Sequence, residues 1–232
     1  METRTTALFT KRPLPGAVKT RLCPPLAPEQ AARLAGAMLE DVLARCLACP
    51  DFRTVLAFAP AEEAAWFAAA FPTADRRPQV GAGLGERMAS FFEQELGGGA
   101  RRTAVVIGSD APLLPARRVV AAHRALERGA DVVLGPDEGG GYYLVGLRRP
   151  RPELFTRIPM STPDMGRATV ALARELGLAV ELLPPALDVD VEADLRRLAA
   201  ELARPGAEPG LAPRTAAVVR ELLTPWPDRG PR

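Results

Sequence analysis

The chain has 232 residues, 47% of them hydrophobic and 25% charged, and its 30 Lys plus Arg and 28 Asp plus Glu give a net charge of +2. This composition is that of a folded globular protein and excludes an intrinsically disordered chain. The length favours one α/β domain with a sizeable core, and the near-neutral charge without a concentrated basic face excludes nucleic acid as an expected partner.

Taken in chain order, the hydrophobic patterns predict alternating strands and helices. Strands are predicted at 5–10, 54–59, 103–108, 131–134, 142–146 and 178–183. Helices are predicted at 28–47, 62–70, 84–96, from 115, from an N-cap at Thr162 to a stop at Gly177, at 191–203 and at 213–223. This alternation builds βαβ units and predicts an α/β fold with a mostly parallel, doubly wound (Rossmann-like) sheet.

Residues 1–224 are expected to form this single domain, and the Pro-rich tail at 225–232 is expected to be disordered. The first residues lack the apolar region of a signal peptide, and no apolar stretch is long enough to span a bilayer. We therefore expect a cytoplasmic protein without a membrane span, while its oligomeric state stays open.

Cysteine and histidine are scarce in this chain. Three cysteines argue against a disulfide framework, and Cys46 and Cys49 are interpreted as small buried side chains rather than a redox pair. The single histidine, His123, lies in a predicted helix and excludes a His-rich metal site. Any chemistry must therefore use carboxylates, cationic side chains, hydroxyl groups or a metal.

In open α/β sheets, ligands bind beyond the carboxyl ends of the strands, which directs attention to three loops. The first loop, 11–21, carries Lys11, Lys19 and Arg21 on a turn with Pro15 and Gly16. Such cations suit the phosphates of a nucleotide, although an ordinary solvated loop explains the charge equally well.

The second loop follows the apolar strand at 103–108 and places Asp110 in the segment Gly-Ser-Asp-Ala-Pro. A divalent ion that bridges diphosphate oxygens needs only one or two carboxylates from the protein. Asp110 is therefore a candidate metal ligand, with a turn-forming or helix-capping role as the alternative.

A second acidic segment, 187–192, alternates acidic and apolar residues. In an extended conformation this pattern places Asp188 and Asp190 on one side and buries Val189 on the other, so that the pair could complete a metal site. The alternative is that Asp190 caps the helix predicted from Val191.

The third loop, 135–141, joins two strands through Gly139, Gly140 and Gly141. The missing side chains would let a bulky ligand approach the backbone, and a flexible hairpin connection is the alternative. Asp137 and Glu138 are acids of undetermined role in this loop.

Taken together, these segments resemble a bacterial family of GT-A-like transferases described as rSAM/selenodomain-associated nucleotide-diphospho-sugar glycosyltransferases. The resemblance is carried by F-x-K-x-P-x-P-G-x-V-K-T-R-L at 9–22, G-S-D-x-P at 108–112 and G-P-x-x-D-G-G-Y-Y-L-x-G-L at 135–147. Weaker matches lie at 79–88, 161–164 and 188–190. Gly83 and Gly139 stand where the family pattern has Asp.

The resemblance implies a GT-A fold, a sugar-nucleotide donor and a Mg²⁺ or Mn²⁺ ion held at Asp110 with Asp188 or Asp190. Asp110, Glu138 and Asp164 are the candidate catalytic residues, with Glu138 or Asp164 as the base that activates a small-molecule acceptor. The residues implied in donor binding are Lys11, Pro15, Gly16, Lys19, Arg21, Gly85, Arg87, Gly140, Gly141 and Tyr142.

Three functions stay open. The first is a metal-dependent glycosyltransferase. The second is a nucleotidyltransferase that joins a nucleoside triphosphate to a phosphorylated small molecule, because the 19–22 segment is also similar to that of guanylyltransferases acting on phospholactate and the fold does not separate the two reactions. The third is a non-catalytic nucleotide-binding module, which the glycines at 83 and 139 favour.

Overall fold

The computed structural model describes residues 3–98, 102–204 and 210–223, and these residues form a seven-stranded sheet. The strands are β1 (Thr3–Lys11), β2 (Arg53–Ala59), β3 (Asp75–Pro78), β4 (Arg102–Gly108), β5 (Val132–Pro136), β6 (Tyr142–Leu147) and β7 (Val180–Leu182). Their order is β3-β2-β1-β4-β6-β5-β7, and only β6 runs antiparallel to its neighbours. The predicted mostly parallel α/β sheet is confirmed.

Helices cover both faces of this sheet. They are α1 (Pro28–Leu47), α2 (Ala64–Ala70), α3 (Leu84–Leu96), α4 (Ala116–Glu127), α5 (Glu153–Thr156), α6 (Met165–Glu175), α7 (Glu192–Ala203) and α8 (Pro213–Leu223). One core layer packs α1, α2 and α4 against the sheet, and the opposite layer packs α3, α5 and α6. None of the helices in the described part of the chain has the length and apolarity needed to cross a bilayer.

A third apolar cluster lies outside the sheet and positions two of the loops identified in the sequence. It joins α1, α7 and α8 with Leu22 and Val189, both fully buried. Leu22 closes a 3₁₀ turn, Thr20–Leu22, directly after Lys19, and Val189 lies between Asp188 and Asp190. Burial of these two apolar side chains therefore brings the cationic and acidic segments to one end of the sheet.

One predicted helix start is wrong, and the structure excludes the capping role that the sequence left open for Asp190. The helix predicted from Thr162 begins at Met165, with Asp164 as its N-cap. Asp190 does not cap α7, whose N-cap is Val191. The carboxylate of Asp194, the third residue of α7, accepts the backbone N–H groups of Asp190 and of the N-cap Val191 at 3.0 and 2.9 Å, and this closes the start of the helix.

Two short elements are absent from the sequence prediction. The strand β3 reads Asp-Arg-Arg-Pro and lies at the sheet edge, where it pairs with β2 without needing an apolar face. The single-turn helix α5 is too short to produce a periodic pattern. The expected disordered tail at 225–232 lies outside the described residues.

Candidate active site

A cleft of about 700 Å³ lies at the carboxyl ends of β1 and β4. Its lining comes from the loop after β1, the loop after β4, the start of α3, the strand β6, and Asp188 and Asp190. The parallel register between β1 and β4 pairs Phe9 with Gly108, so both strands end at the same edge. The cleft therefore lies where open α/β sheets bind ligands.

The structure brings the three predicted metal ligands together. Oxygen atoms of Asp110, Asp188 and Asp190 lie within 4.8 Å of one another. The backbone N–H of Val189 donates to the carbonyl of Asp110 at 2.9 Å, which ties the acidic segment to the loop after β4. Val189 is buried while its two neighbours line the cleft, as the alternating pattern predicts.

Arg45, in the last turn of α1, fixes the loop that carries Asp110 through hydrogen bonds to its backbone. Its guanidinium donates to the carbonyl oxygens of Leu114 at 2.5 Å and Pro112 at 2.7 Å, and to that of Leu211. Three backbone acceptors on one guanidinium fix the loop after β4 to the segment before α8. Nothing in the local sequence distinguishes Arg45 from a surface arginine, because its partners lie far away in the chain.

Lys19 lies at the centre of the acidic cluster. Its ammonium is 2.8 Å from Oδ1 of Asp110 and 3.0 Å from Oδ1 of Asp190, and its side chain is only 6% exposed. Burial alone lowers the pKa of Lys19, but the carboxylates of Asp110, Asp190 and Asp188 outweigh that effect and raise it above its ordinary value. Lys19 is therefore a fully charged ammonium at neutral pH.

Asp188 is the acid of this cluster that lacks a partner. Among the described residues it has no hydrogen bond and no ion pair, although it faces the cleft. Burial, together with the negative charges of Asp110 and Asp190, raises the pKa of Asp188 well above its ordinary value, against the opposing effect of Lys19. The three carboxyl groups of the cluster outnumber Lys19 and Arg21, the cations that contact them, and oxygen ligands in excess suit a hard divalent cation.

The remaining residues of the first loop differ in position. Lys11 and Arg21 line the cleft, and Arg21 also contacts Asp190 at 3.4 Å. Pro15 and Gly16 are exposed and do not line it; Gly16 has a φ of +74°, which shapes the turn. Two cations of this loop, besides Lys19, are therefore placed to meet a ligand.

The glycine-rich loop packs against the protein rather than opening to a ligand. A Cβ at Gly140, whose φ is +90°, would lie 1.7 Å from the carbonyl oxygen of Pro163. The N–H of Gly141 donates to Asp137 at 2.8 Å, and that of Gly166 donates to Gly140 at 2.9 Å. Close approach between two protein segments thus accounts for Gly140, while the neighbouring Tyr142 lines the cleft.

Glu138 and Asp164, the candidate bases, are exposed and outside the cleft lining. Glu138 forms an ion pair with Arg197, and this side-chain hydrogen bond lowers the pKa of Glu138. Asp164 pairs with Arg167 at 2.6 Å. The structure does not bring either carboxylate to the acidic cluster.

The segment at 79–88 contributes a wall of the cleft through Gly83, Leu84, Arg87 and Met88. Arg87 donates to the carbonyl of Gly81 at 2.9 Å and so orders this loop. Gly85 is buried because α3 passes close to the carbonyl of Phe155, 2.2 Å from where a Cβ would lie. Ser161, from the weaker match at 161–164, also lines the cleft, as does Met165, which the sequence did not single out.

Comparisons with known proteins agree with this architecture. A protein from Desulfovibrio desulfuricans G20, described as a proposed nucleotide-diphospho-sugar transferase, is 30% identical, with a TM-score of 0.83 over 95% of this chain and 98% of that chain. A cytidylyltransferase from Leptospira borgpetersenii serovar Hardjo-bovis is 10% identical, with a TM-score of 0.58 over 96% and 94% of the two chains.

CMP:2-keto-3-deoxy-manno-octonic acid synthetase in complex with CTP is 14% identical, with a TM-score of 0.55 over 87% of this chain and 99% of that chain. At such identities these last two similarities establish the fold alone, which is the nucleotide-diphospho-sugar transferase fold expected from the sequence. No curated protein matches the chain in sequence. Residues 42–162 match the model of a bacterial family, and the chain therefore belongs to that family of uncharacterized conserved proteins, DUF2064.

Proposed function

We propose that this chain is a metal-dependent transferase that uses a nucleotide-diphospho-sugar donor, with transfer of the sugar to a small-molecule acceptor. The transferase class is supported by the 30% identical Desulfovibrio protein, which covers almost the whole of both chains. The observation that carries the metal assignment is the cluster of Asp110, Asp188 and Asp190, in which the carboxylate of Asp188 has no partner among the described residues.

The donor set fits Mg²⁺ or Mn²⁺. Both ions bind carboxylate oxygens through one or two protein ligands and complete their coordination with phosphates and water. When bound, the ion would neutralise the charge that develops on the departing diphosphate. Asp110 and Asp190, together with Asp188, would hold it through their carboxylate oxygens.

The cations of the cleft would bind and orient the donor. Lys11 and Arg21 line the same cavity as the acidic cluster and can each donate to phosphate oxygens. Tyr142, Leu84 and Met88 give the adjoining wall an apolar surface, which would exclude water from the reacting centre.

Transfer of a nucleotidyl group is the second candidate, and one observation favours it. Within the described residues, the acids that line the cleft are Asp110, Asp188 and Asp190, all in the proposed metal cluster. A hydroxyl acceptor needs a separate base, whereas an acceptor phosphate is already deprotonated at neutral pH. Glu138 and Asp164 would have to move to act as that base.

The products distinguish the candidates. The protein would be incubated with Mn²⁺, a panel of nucleotide sugars or nucleoside triphosphates, and small-molecule acceptors. Release of nucleoside diphosphate supports glycosyl transfer, and release of pyrophosphate supports nucleotidyl transfer. Thermal stabilisation by nucleotides without turnover against any acceptor would support the non-catalytic module instead.

A cytoplasmic location and an association with radical-SAM and selenium-domain proteins stay predictions from the sequence and from the family resemblance. Co-purification of the tagged protein from its native host would test the association.

A further inference from the structure

The ammonium of Lys19 occupies the space between two carboxylates that are proposed to hold the metal. It lies 2.8 Å from Asp110 and 3.0 Å from Asp190, and it is almost fully enclosed. Its backbone has a left-handed conformation, with φ at +49°, and is fixed by the 3₁₀ turn that buries Leu22. The position of Lys19 in the cluster is therefore built by the fold rather than adopted by a free surface side chain.

A divalent cation and this ammonium compete for the same oxygen atoms. The metal binds carboxylate oxygens at about 2.0–2.6 Å, so an ion held by Asp110 and Asp190 would lie a few ångström from the Lys19 nitrogen. Two positive charges at such a distance repel each other, and the enclosed Lys19 ammonium is poorly screened by solvent. The four-carbon stem of a lysine can rotate while its Cα stays fixed, and Lys19 also lines the cleft.

We infer that Lys19 is an internal counter-cation of the acidic cluster, which the metal displaces from Asp110 and Asp190 and which then faces the cleft. This inference rests on the proposed metal site. Lys19 stabilises the three carboxylates before the metal arrives, and it lowers the affinity of the protein for metal alone. Once displaced, the ammonium is placed to bind donor phosphates, so metal and donor binding favour each other.

The first test measures Mn²⁺ affinity without nucleotide, by the electron paramagnetic resonance of free Mn²⁺. Lys19→Met should bind Mn²⁺ at least tenfold more tightly than the wild type, although a residue of the site has been removed. Arg21→Met is the matched control, because it removes a cation that also contacts Asp190 but is 69% exposed. Its affinity should rise less than threefold, since solvent already screens that charge.

The outcomes separate this inference from the metal site itself. Equal or weaker Mn²⁺ binding by Lys19→Met, with the wild type binding and Asp188→Asn binding much more weakly than the wild type, would overturn the competition and leave the metal site in place. Absence of binding by both the wild type and Lys19→Met would overturn both. Lys19→Met should also melt at a lower temperature than the wild type in metal-free buffer and recover on addition of Mn²⁺, which excludes misfolding as the cause.

The second test follows the displacement directly, because Lys11 and Lys19 are the only lysines of the chain. In protein labelled with ¹³C-lysine, two side-chain Cε signals are expected, and a Lys11→Arg variant assigns them. Saturating Mg²⁺ should move the Lys19 signal toward the position of the exposed Lys11 signal and leave the latter unchanged. A Lys19 signal that stays in place while Mg²⁺ raises the melting temperature would refute the displacement.

Discussion

The two edges of the sheet each hold a cluster of charges around one buried ionic side chain, and the clusters are built in opposite ways. At the amino-terminal edge, Glu95 accepts hydrogen bonds from Arg53 at 2.9 Å and Arg77 at 2.5 Å. At the carboxyl edge, Asp110, Asp188 and Asp190 share the enclosed cation Lys19. One edge surrounds a single buried acid with cations, and the other surrounds a single buried cation with acids.

The pKa shifts follow this difference. Burial alone would raise the pKa of Glu95, but the Thr5 hydroxyl and the two guanidinium groups bring it below its ordinary value. The pKa of Asp188 is instead raised by burial and by its acidic neighbours. A buried acid that is paired with cations stabilises the fold. Acids that outnumber their cations repel one another, and a bound metal cation would reduce that repulsion. The comparison therefore supports a structural role for one edge and the proposed ligand binding at the other.

Removal of the unpartnered acid should produce the largest effect on binding. Asp188→Asn takes away one carboxylate ligand, so we expect Mn²⁺ affinity to fall on the order of 100-fold, about 2.7 kcal/mol. The melting temperature in metal-free buffer should stay the same or rise, because the variant removes an acid that is buried beside two other carboxylates. Calorimetric titration and thermal melting measure the two quantities. A fall in metal-free stability would show that Asp188 is a structural residue.

The corresponding change at the other edge should have the opposite consequence for stability. Glu95→Gln leaves Arg53 and Arg77 without their main anion, and we expect a loss of about 2 kcal/mol, reduced from a fully buried pair because both arginines are partly exposed. Urea unfolding at pH 7 measures it. Glu93→Gln, an exposed position on the same helix, is the control and should change stability by less than about 0.5 kcal/mol. Equal effects of the two variants would remove the contrast between the edges.

The only histidine extends the comparison to pH. His123 is buried between the hydroxyl groups of Thr6, 3.0 Å away, and Thr103, 2.7 Å away. Burial, with a smaller contribution from Arg4, lowers its pKa to about 3. His123 therefore binds a proton near pH 6.5 in the unfolded chain, whereas in the folded chain it stays neutral until the pH approaches 3. The free energy of unfolding therefore falls as the pH drops from 6.5 toward 3.

This linkage should cost about 2 kcal/mol at pH 5 relative to pH 7. Urea unfolding of the wild type and of His123→Gln at both pH values isolates the contribution, because the variant cannot titrate in that range. The variant should be less stable at pH 7 and should lose less stability on acidification. Parallel losses in the two proteins would assign the acid sensitivity to other groups.

The sequence predicts those features that depend on local pattern and fails where distant segments meet. The bounds of α1, α3 and α8 follow from Pro28, the glycines after Leu96, and Pro213. The cleft side of Asp188 and Asp190 follows from alternation around one buried valine. The pairing of Lys19 with these acids depends on Leu22 and Val189 entering one apolar cluster, and no spacing in the sequence encodes that contact.

The N-cap of α7 also differs from the alternative that the sequence offers. An Asp before a predicted helix is commonly its N-cap, but here the N-cap is Val191, and the carboxylate of Asp194 accepts the backbone N–H groups of Asp190 and Val191. The side chain of Asp190 lies in the cleft instead, where it pairs with Lys19. Local propensity identified the acid as functional or capping, and only the three-dimensional arrangement decides between the two roles.

The smallest predicted effect concerns an acid that this chain lacks. Gly83 is the N-cap of α3, has an extended backbone, and has no atom within 4 Å of where a Cβ would lie. Gly83→Asp should stabilise the protein by about 0.5 kcal/mol, because a carboxylate at this position accepts free N–H groups of the helix and glycine entropy is removed from the unfolded chain. Chemical unfolding measures the gain, with Gly83→Ala as the control for the entropy alone. The new carboxylate at position 83 would lie beside the N–H donors of α3, whereas an acid added beside Asp188 would lie beside other carboxylates. Destabilisation of Gly83→Asp relative to Gly83→Ala would mean that the negative field of the acidic cluster extends across the cleft to α3.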